Sequence, residues 1–504
     1  MRNLKNPILK NAADTCLVVA LAFASGCGPE HSTTKLLDGQ ALAAFSCAQC
    51  HPCPSPSFLP REEWPYLLAW MGSYLGHPAE IELHPVLVDS RLVPSEPLVT
   101  KEQFEAIRAY FLDQSIIQYR EPVVKPKPAT STLFEPVPLA IPASVITLAW
   151  IDPVDQTLLI GSSRPPEFRV LRRGQTAAIE VHSEPVSYER VGPVRRVGLM
   201  GHFGRDFRQG QIVDFDLNEG KQQTVVDNHP RITAHRTADI DGDGNDDLFV
   251  CGFGDYPEGR VGLWWGGGAT LQEDVLFEEA GSTWGEVADF DGDGDLDIII
   301  SVANARPRLL AFVNEGNRRF VPRLIVERPV GWGYNRCLVV DWDGDGRPDV
   351  VELSGNNLEL RGRPLKAHYG VRVLRNEGNW KSTEVLFEHL DGAMDVAAGD
   401  FDGNGRIDLA VTAFYPDWRL PVPTTLLLLL QRTDGTVERS GIDDRYWNRW
   451  MRISAGDADG DGDIDLLLGA AQVPMAVPSE QTAHYEELLR DKASVLLLRN
   501  RTVR

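Results

Sequence analysis

The chain has 504 residues, a formal net charge of -22 and seven cysteines. That length exceeds what one hydrophobic core usually supports, so two or three domains, or one large repetitive one, are expected. The acidic balance argues against nucleic acid and anionic membrane surfaces as partners, because both select basic patches.

In chain order, "MRNLKNPILKNAADT" carries Arg2, Lys5 and Lys10 and runs into the apolar "CLVVALAFA" from Cys16 to Ala24, the basic-then-apolar layout of a secretory signal. It is too short to span a bilayer as a permanent anchor, and beyond it no eighteen-residue apolar run occurs. The following "ASGC" resembles a bacterial lipoprotein signal, in which small residues precede a cysteine that is diacylated and becomes the new N-terminus. On that resemblance residues 1–26 are the signal peptide and Cys27 carries the lipid. "GPEHSTT" is then a tether, and the membrane is met only through the lipid anchor. Gly28, rather than an aspartate, favours the outer membrane, facing periplasm or exterior. The alternative is an ordinary signal cut nearby, with Cys27 a leftover thiol.

Residues 45–53 read "FSCAQCHPC". Cys47, Cys50 and His51 form a C-x-x-C-H motif, which can attach haem, supply half a zinc site or act as a redox pair. Zinc needs two further ligands at short spacing; Cys53 is one, and no second pair follows. A redox pair needs a βαβ context that the sequence lacks. Haem attachment outside the cytoplasm agrees with an exported chain, so haem c is the expected cofactor, held by Cys47 and Cys50 with His51 as an iron ligand. Met71, in "WPYLLAWMGSY", is the expected second axial ligand, with His77 and His84 as rivals. The stretch from about 33 to 115 resembles small bacterial cytochromes c: a helix into the motif ("LLDGQALAAFSCAQCH"), a proline-rich loop ("PCPSPSFLP"), an aromatic-to-methionine stretch and a closing helix. A carbonyl of the loop between Pro54 and Pro60 is expected to orient the imidazole. The closing helix stands by itself: in "TKEQFEAIRAYFLDQ", Thr100 and Gln103 have capping-box spacing, and Phe104, Ile107 and Phe111 give an apolar face. Residues 27–120 are thus expected to be a small all-α cytochrome c domain.

Between Glu121 and Ala143, prolines at 122, 126, 128, 136, 138 and 142 block helix. They predict a semi-rigid, exposed linker over 121–143.

From residue 144 onward the chain repeats itself. "DIDGDGNDDLFV", "DFDGDGDLDIII", "DWDGDGRPDVVE", "DFDGNGRIDLAV" and "DADGDGDIDLLL" start at Asp239, Asp289, Asp341, Asp400 and Asp457. A period near fifty with short apolar runs suits propeller blades of four strands. A second element counts them: "FRVLRRG", "GQIVDFDLNEG", "VGLWWGGG", "LLAFVNEGN", "VRVLRNEGN", "LLLLLQRTDG" and "VLLLRN" make seven. The repeats resemble the FG-GAP/VCBS family of integrin-like and bacterial surface propellers. That resemblance implies an all-β seven-bladed propeller over 144–504, whose first two blades lack the acidic loop.

The D-x-D-G-D-G-x-x-D pattern offers hard oxygens to calcium: carboxylates at positions one, three, five and nine, a backbone carbonyl at seven, and a glycine at six for the turn. The expected metal-site residues are Asp239, Asp241, Asp243, Asn245 and Asp247; Asp289, Asp291, Asp293, Asp295 and Asp297; Asp341, Asp343, Asp345, Arg347 and Asp349; Asp400, Asp402, Asn404, Arg406 and Asp408; and Asp457, Asp459, Asp461, Asp463 and Asp465. Positions one, three, five and nine hold nineteen aspartates, without which the charge of -22 would be -3. The acidity therefore belongs to the loops and says little about partners. A cage saturated by its own loop leaves no open position for catalysis, and no nucleophile elbow, zincin helix or phosphate loop is present.

Two classes of function follow. One is a lipid-anchored monohaem electron carrier, serving a redox protein partner, whose calcium-binding propeller docks a partner or ligand. The other is a propeller dehydrogenase that passes electrons to its own haem. Adhesion or surface recognition would leave the haem motif unexplained.

Overall fold

The computed structural model describes residues 38–78, 83, 88–117, 126–172, 174–202, 207–254, 258–268, 271–356, 365–475 and 477–502. The expected signal peptide, Cys27 and His84 lie outside these residues.

Seven sheets dominate. Six blades run first strand to fourth as antiparallel meanders, over 145–180, 185–229, 232–277, 282–327, 334–389 and 393–441, and the seventh has its first three strands over 450–500. The strand that follows each acidic loop is a near-continuous apolar run. Asp247–Gly252, Asp297–Val302, Asp349–Ser354, Asp408–Ala413 and Asp465–Ala470 are each buried throughout, because blades cover both faces of their neighbours. The core is accordingly made between blades: Phe249 of blade three, Ile300 of blade four and Cys337 of blade five share one cluster.

The segment read as an exposed linker does more than connect. Ala129–Thr130 (β1) pairs in parallel with Ser440 and Gly441 at the edge of blade six. Phe134–Leu139 (β2) pairs antiparallel with the last strand of the chain, Val495–Asn500, from Phe134↔Asn500 to Leu139↔Val495. Blade seven thus takes its outermost strand from the start of the propeller, which closes the ring. Pro136 and Pro138 are tolerated because β2 is an edge strand, where a missing N–H can face outward.

Before the propeller, among the described residues, lie three α-helices: Gly39–Cys47 (α1), Trp64–Tyr74 (α2) and Lys101–Gln114 (α3). The capping box of α3 is present, with Thr100 accepting from the Gln103 N–H at 3.2 Å and the Gln103 side chain accepting from the Thr100 N–H at 2.8 Å. Ala43, Leu59, Trp64, Leu68, Ile107 and Phe111 form their core. At Gly39, α1 runs so close to α3 that a Cβ would stand 2.2 Å from the Ala106 carbonyl oxygen. No helix is long and apolar enough to cross a membrane among the described residues.

Candidate functional site

Each acidic loop joins the first strand of its blade to the second. Among the described residues, five groups of three or more potential metal donors gather within 4.8 Å, and all are aspartates: Asp239, Asp241 and Asp247; Asp289, Asp291 and Asp297; Asp341, Asp343 and Asp349; Asp400, Asp402 and Asp408; Asp457, Asp459 and Asp465. Positions one, three and nine of every loop are thus brought together. Position five is turned to the loop's own backbone. Asp243, Asp293, Asp345, Asn404 and Asp461 each accept the N–H of the residue two further on, at 2.9–3.0 Å. Position one caps the turn, as Asp239 accepting from Gly244 at 2.9 Å illustrates, and Gly244 has the left-handed φ of 87° that the turn requires. At position seven, Asn245, Asp295 and Arg347 are exposed, Arg406 is half-buried and Asp463 is buried.

Position nine is a structural anchor as well as a donor. Asp247, Asp297, Asp349, Asp408 and Asp465 are at most 1 % exposed. One oxygen of each accepts the N–H of loop position two, from Ile240, Phe290, Trp342, Phe401 and Ala458 at 2.8–3.0 Å. The other accepts an N–H at the end of the third strand, from Gly266, Asn314, Asn376, Gln431 and Asn500 at 2.7–2.8 Å. Burial pushes these carboxyls up, to about 6 for Asp297, Asp408 and Asp465, and upward for Asp247 and Asp349. A cation beside them would offset that burial.

The same third-strand ends carry residues that the sequence reading passed over. The side-chain amides of Asn314, Asn376, Gln431 and Asn500 reach into the preceding blade and donate to the position-two carbonyls of Ile240, Phe290, Trp342 and Phe401, at 2.8–2.9 Å. Each also donates to a carbonyl of its own loop. Blade three has Gly266 at this place, and the blade before it has no acidic loop to reach. The signal lay in the repeated strings: Asn, Asn, Gln and Asn close the strands that follow a loop-bearing blade.

The cysteine–histidine turn sits at the end of α1. The N–H groups of Cys50 and His51 point back to the Cys47 carbonyl at 3.4 and 3.3 Å. His51 Nδ1 lies 2.9 Å from the Pro52 carbonyl oxygen, so the orienting carbonyl comes from the next residue and not from the stretch between Pro54 and Pro60. Donation there leaves Nε2 as the imidazole's open lone pair. Burial lowers the His51 pKa, which keeps the ring neutral as a ligand must be. Cys53 faces Cys47: the hydrogen bond between the thiols, with burial adding to it, holds the Cys47 thiol far up, and the same hydrogen bond, against burial, holds the Cys53 thiol down. These donors are absent from the metal-type groups above, so they do not converge on one point as a zinc site would. Met71 is half-buried on α2, outside the cluster against which Cys47 and Cys53 pack. His77 is engaged elsewhere, with Nε2 2.9 Å from the Val99 carbonyl oxygen and its ring stacked on Phe104 at 4.7 Å.

The turn also meets the propeller. Phe58, which packs on the same cluster, stacks 5.9 Å from His368 and lies 5.5 Å below the Lys366 ammonium. Arg91 reaches Glu258 at 3.4 Å, and the Arg306 charge is felt at His51. Glu258, Arg306, Lys366 and His368 all lie on second-to-third strand connections. In a four-stranded meander these leave the opposite end of the blade from the acidic loops.

Comparison with known proteins fits the repeats. The FG-GAP-like repeat family matches residues 239–300 and 289–352. Residues 239–352 carry FG-GAP-like repeats. No curated protein matches it. Among solved structures it is similar to the N-terminal domain of Nup159 (10 % identity, 76 % of this chain and 98 % of that one, TM-score 0.41). It is also similar to a chain of a S. cerevisiae complex of Dbp5 with Nup159, Gle1, IP6 and ADP (10 %, 74 % and 97 %, 0.41) and to BBS1N in complex with ARL6DN (11 %, 74 % and 97 %, 0.45). The two matched FG-GAP spans cover the loops of blades three to five. The loops of blades six and seven repeat the same hydrogen bonds.

Proposed function

We propose that this chain is an extracytoplasmic c-type cytochrome, anchored by a lipid on Cys27, that moves single electrons to or from a redox protein partner and uses a calcium-loaded FG-GAP propeller as its docking body. The observation that carries the haem is the turn after α1. Two thiols one helical turn apart are followed by a neutral imidazole whose Nδ1 is held by Pro52 and whose Nε2 is open. The donors fit covalent attachment and do not fit a closed metal cage.

Haem c, once bound, supplies a reversible one-electron couple. The residues of the chain do the rest. Cys47 and Cys50 would tether the group, His51 would present Nε2, and the apolar cluster of Ala43, Leu59 and Trp64 would keep water from that side. Met71 is the proposed second ligand. Phe58, seated against His368 and Lys366, holds the helical segment on the propeller end remote from the acidic loops. Redox chemistry and cation binding are thereby kept apart.

The test is expression with a haem-maturation system and export, followed by a haem stain on a denaturing gel. A band lost in Cys47→Ser and Cys50→Ser, and a reduction potential lowered in Met71→Ala, support the reading. A chain that stays colourless rejects it. For the loops, chelation should lower the melting temperature of the purified protein, since a metal bound only by the folded state stabilises it by mass action. An unchanged transition rejects calcium. Substrate-dependent haem reduction by alcohols, sugars or aldehydes in the full chain would point to the dehydrogenase instead.

A further inference from the structure

The first strand of each blade is its innermost, packed beside the first strands of its neighbours around the ring. Three of these inner strands send an arginine to the next blade. Arg236 of blade three donates to Glu286 of blade four through Nε and Nη2, both at 2.9 Å. Arg336, the third residue of its strand in blade five, pairs with Asp395, the third residue of its strand in blade six. Arg452 is the third residue of the inner strand of blade seven, and blade one has Thr147 at the third place instead of an acid. Arg452 Nε donates to the Thr147 carbonyl oxygen at 2.8 Å. Its two Nη groups have no hydrogen-bond or ion-pair partner among the described residues.

Two hydroxyls beside this arginine are idle as well. Thr147 and Ser454 are 4 % and 5 % exposed, and neither hydroxyl has a hydrogen-bond partner. Ser454 follows Arg452 by two residues with no bulge between them, so both side chains leave the strand on one face. Burial lowers the Arg452 pKa, while Asp395 raises it and Arg336 lowers it. Asp395 is already occupied: Arg336 and the Val396 N–H meet one oxygen, and the Ile453 N–H meets the other at 3.1 Å. Two guanidinium groups and one carboxylate leave one positive charge over. A half-buried guanidinium and two buried hydroxyls without partners are costly unless an acceptor meets them.

We infer that Arg452, Thr147 and Ser454 form a binding site for a small carboxylate at the inside of the ring, between blades seven and one. With Nε engaged, the Nη pair presents two parallel N–H groups, which match the two oxygens of a carboxylate. The ligand takes the part that Asp395 plays for Arg336. It has to be small, because the inner strands elsewhere are closed off: Trp284 and Arg336 are 6 % and 7 % exposed, with the guanidinium 4.1 Å from the ring centre. The site needs neither haem nor calcium, and its occupant would join the first blade to the last.

The experiment is saturation-transfer NMR on the methyl protons of sodium acetate mixed with the full-length protein. Sodium chloride makes up a constant ionic strength, so that a plain counter-ion effect cancels. A saturable signal is expected from the parent and from Lys221→Gln, an exposed control, and its loss from Arg452→Gln. No saturable signal in the parent, or an equal one in Arg452→Gln, overturns the site. Should Arg452→Gln fail to fold, Thr147→Val removes only a hydroxyl that has no partner in the protein. It should weaken acetate binding about tenfold, the worth of one hydrogen bond to a charged group; unchanged affinity would refute the role given to Thr147.

Discussion

Asn376→Ala tests the stitching between blades most directly. Asn376 is 4 % exposed and makes three side-chain hydrogen bonds. It donates to the Phe290 carbonyl in blade four at 2.8 Å and to the Pro348 carbonyl in its own loop at 3.1 Å, and it accepts from the Gly378 N–H at 2.9 Å. Truncation leaves two carbonyls facing an emptied, buried space. With about 1–3 kcal/mol for each buried group left unsatisfied, and some recovery by water entering the gap, the loss should be about 2–5 kcal/mol. The assay is urea unfolding followed by tryptophan fluorescence, in excess calcium so that metal occupancy does not vary. Gln222→Ala, on an exposed strand position, serves as the control and should change stability by under about 0.5 kcal/mol. If Asn376→Ala and the control unfold at the same urea concentration, the inter-blade amides are ornamental and the account of them is wrong.

Gly39→Val should separate α1 from α3, because the added carbon would overlap the Ala106 carbonyl oxygen; the measurement is covalent haem yield, expected to fall while the propeller's melting transition stays in place. Removing residues 1–139 deletes β2 and leaves Val495–Asn500 as a bare edge; light scattering and size exclusion should show aggregation, and a stable monomer would contradict the closure role. Burial holds His229 neutral, with a pKa of about 4 against about 6.5 when unfolded. The unfolded chain therefore takes up the proton first, and this contribution is complete above pH 6.5 and lost as pH falls toward 4. His229→Gln should flatten the acid limb of the stability profile by up to about 1.4 kcal/mol per pH unit, and superimposable profiles for variant and parent would count against it.

Much of the propeller was legible because its signals are local and repeated. The seven apolar strings, two of them ending "NEGN", mark third strands, and all seven fall on them. The loops were legible as acidic turns, but their division of labour was not. Asp297 and Asp293 look alike in sequence; one begins a strand and is therefore buried against its neighbours, whereas the other lies in the turn and caps it. Long-range pairings escaped. β2 carries two prolines in a proline-rich stretch and takes its meaning from a strand at the far end of the chain. The seat of Phe58 against His368 likewise joins residues with no shared pattern.

The pairing of Phe134 with Asn500 has a consequence for how the chain is made. During synthesis the helical segment emerges before any blade. β2 emerges soon afterwards and must then wait, edge exposed, while the remaining blades are delivered. Its partner strand, Val495–Asn500, follows all the other blades in the chain. A chain truncated before Val495 is therefore an open ring with two unsatisfied rims, and quality control has a clear mark of incompleteness to act on.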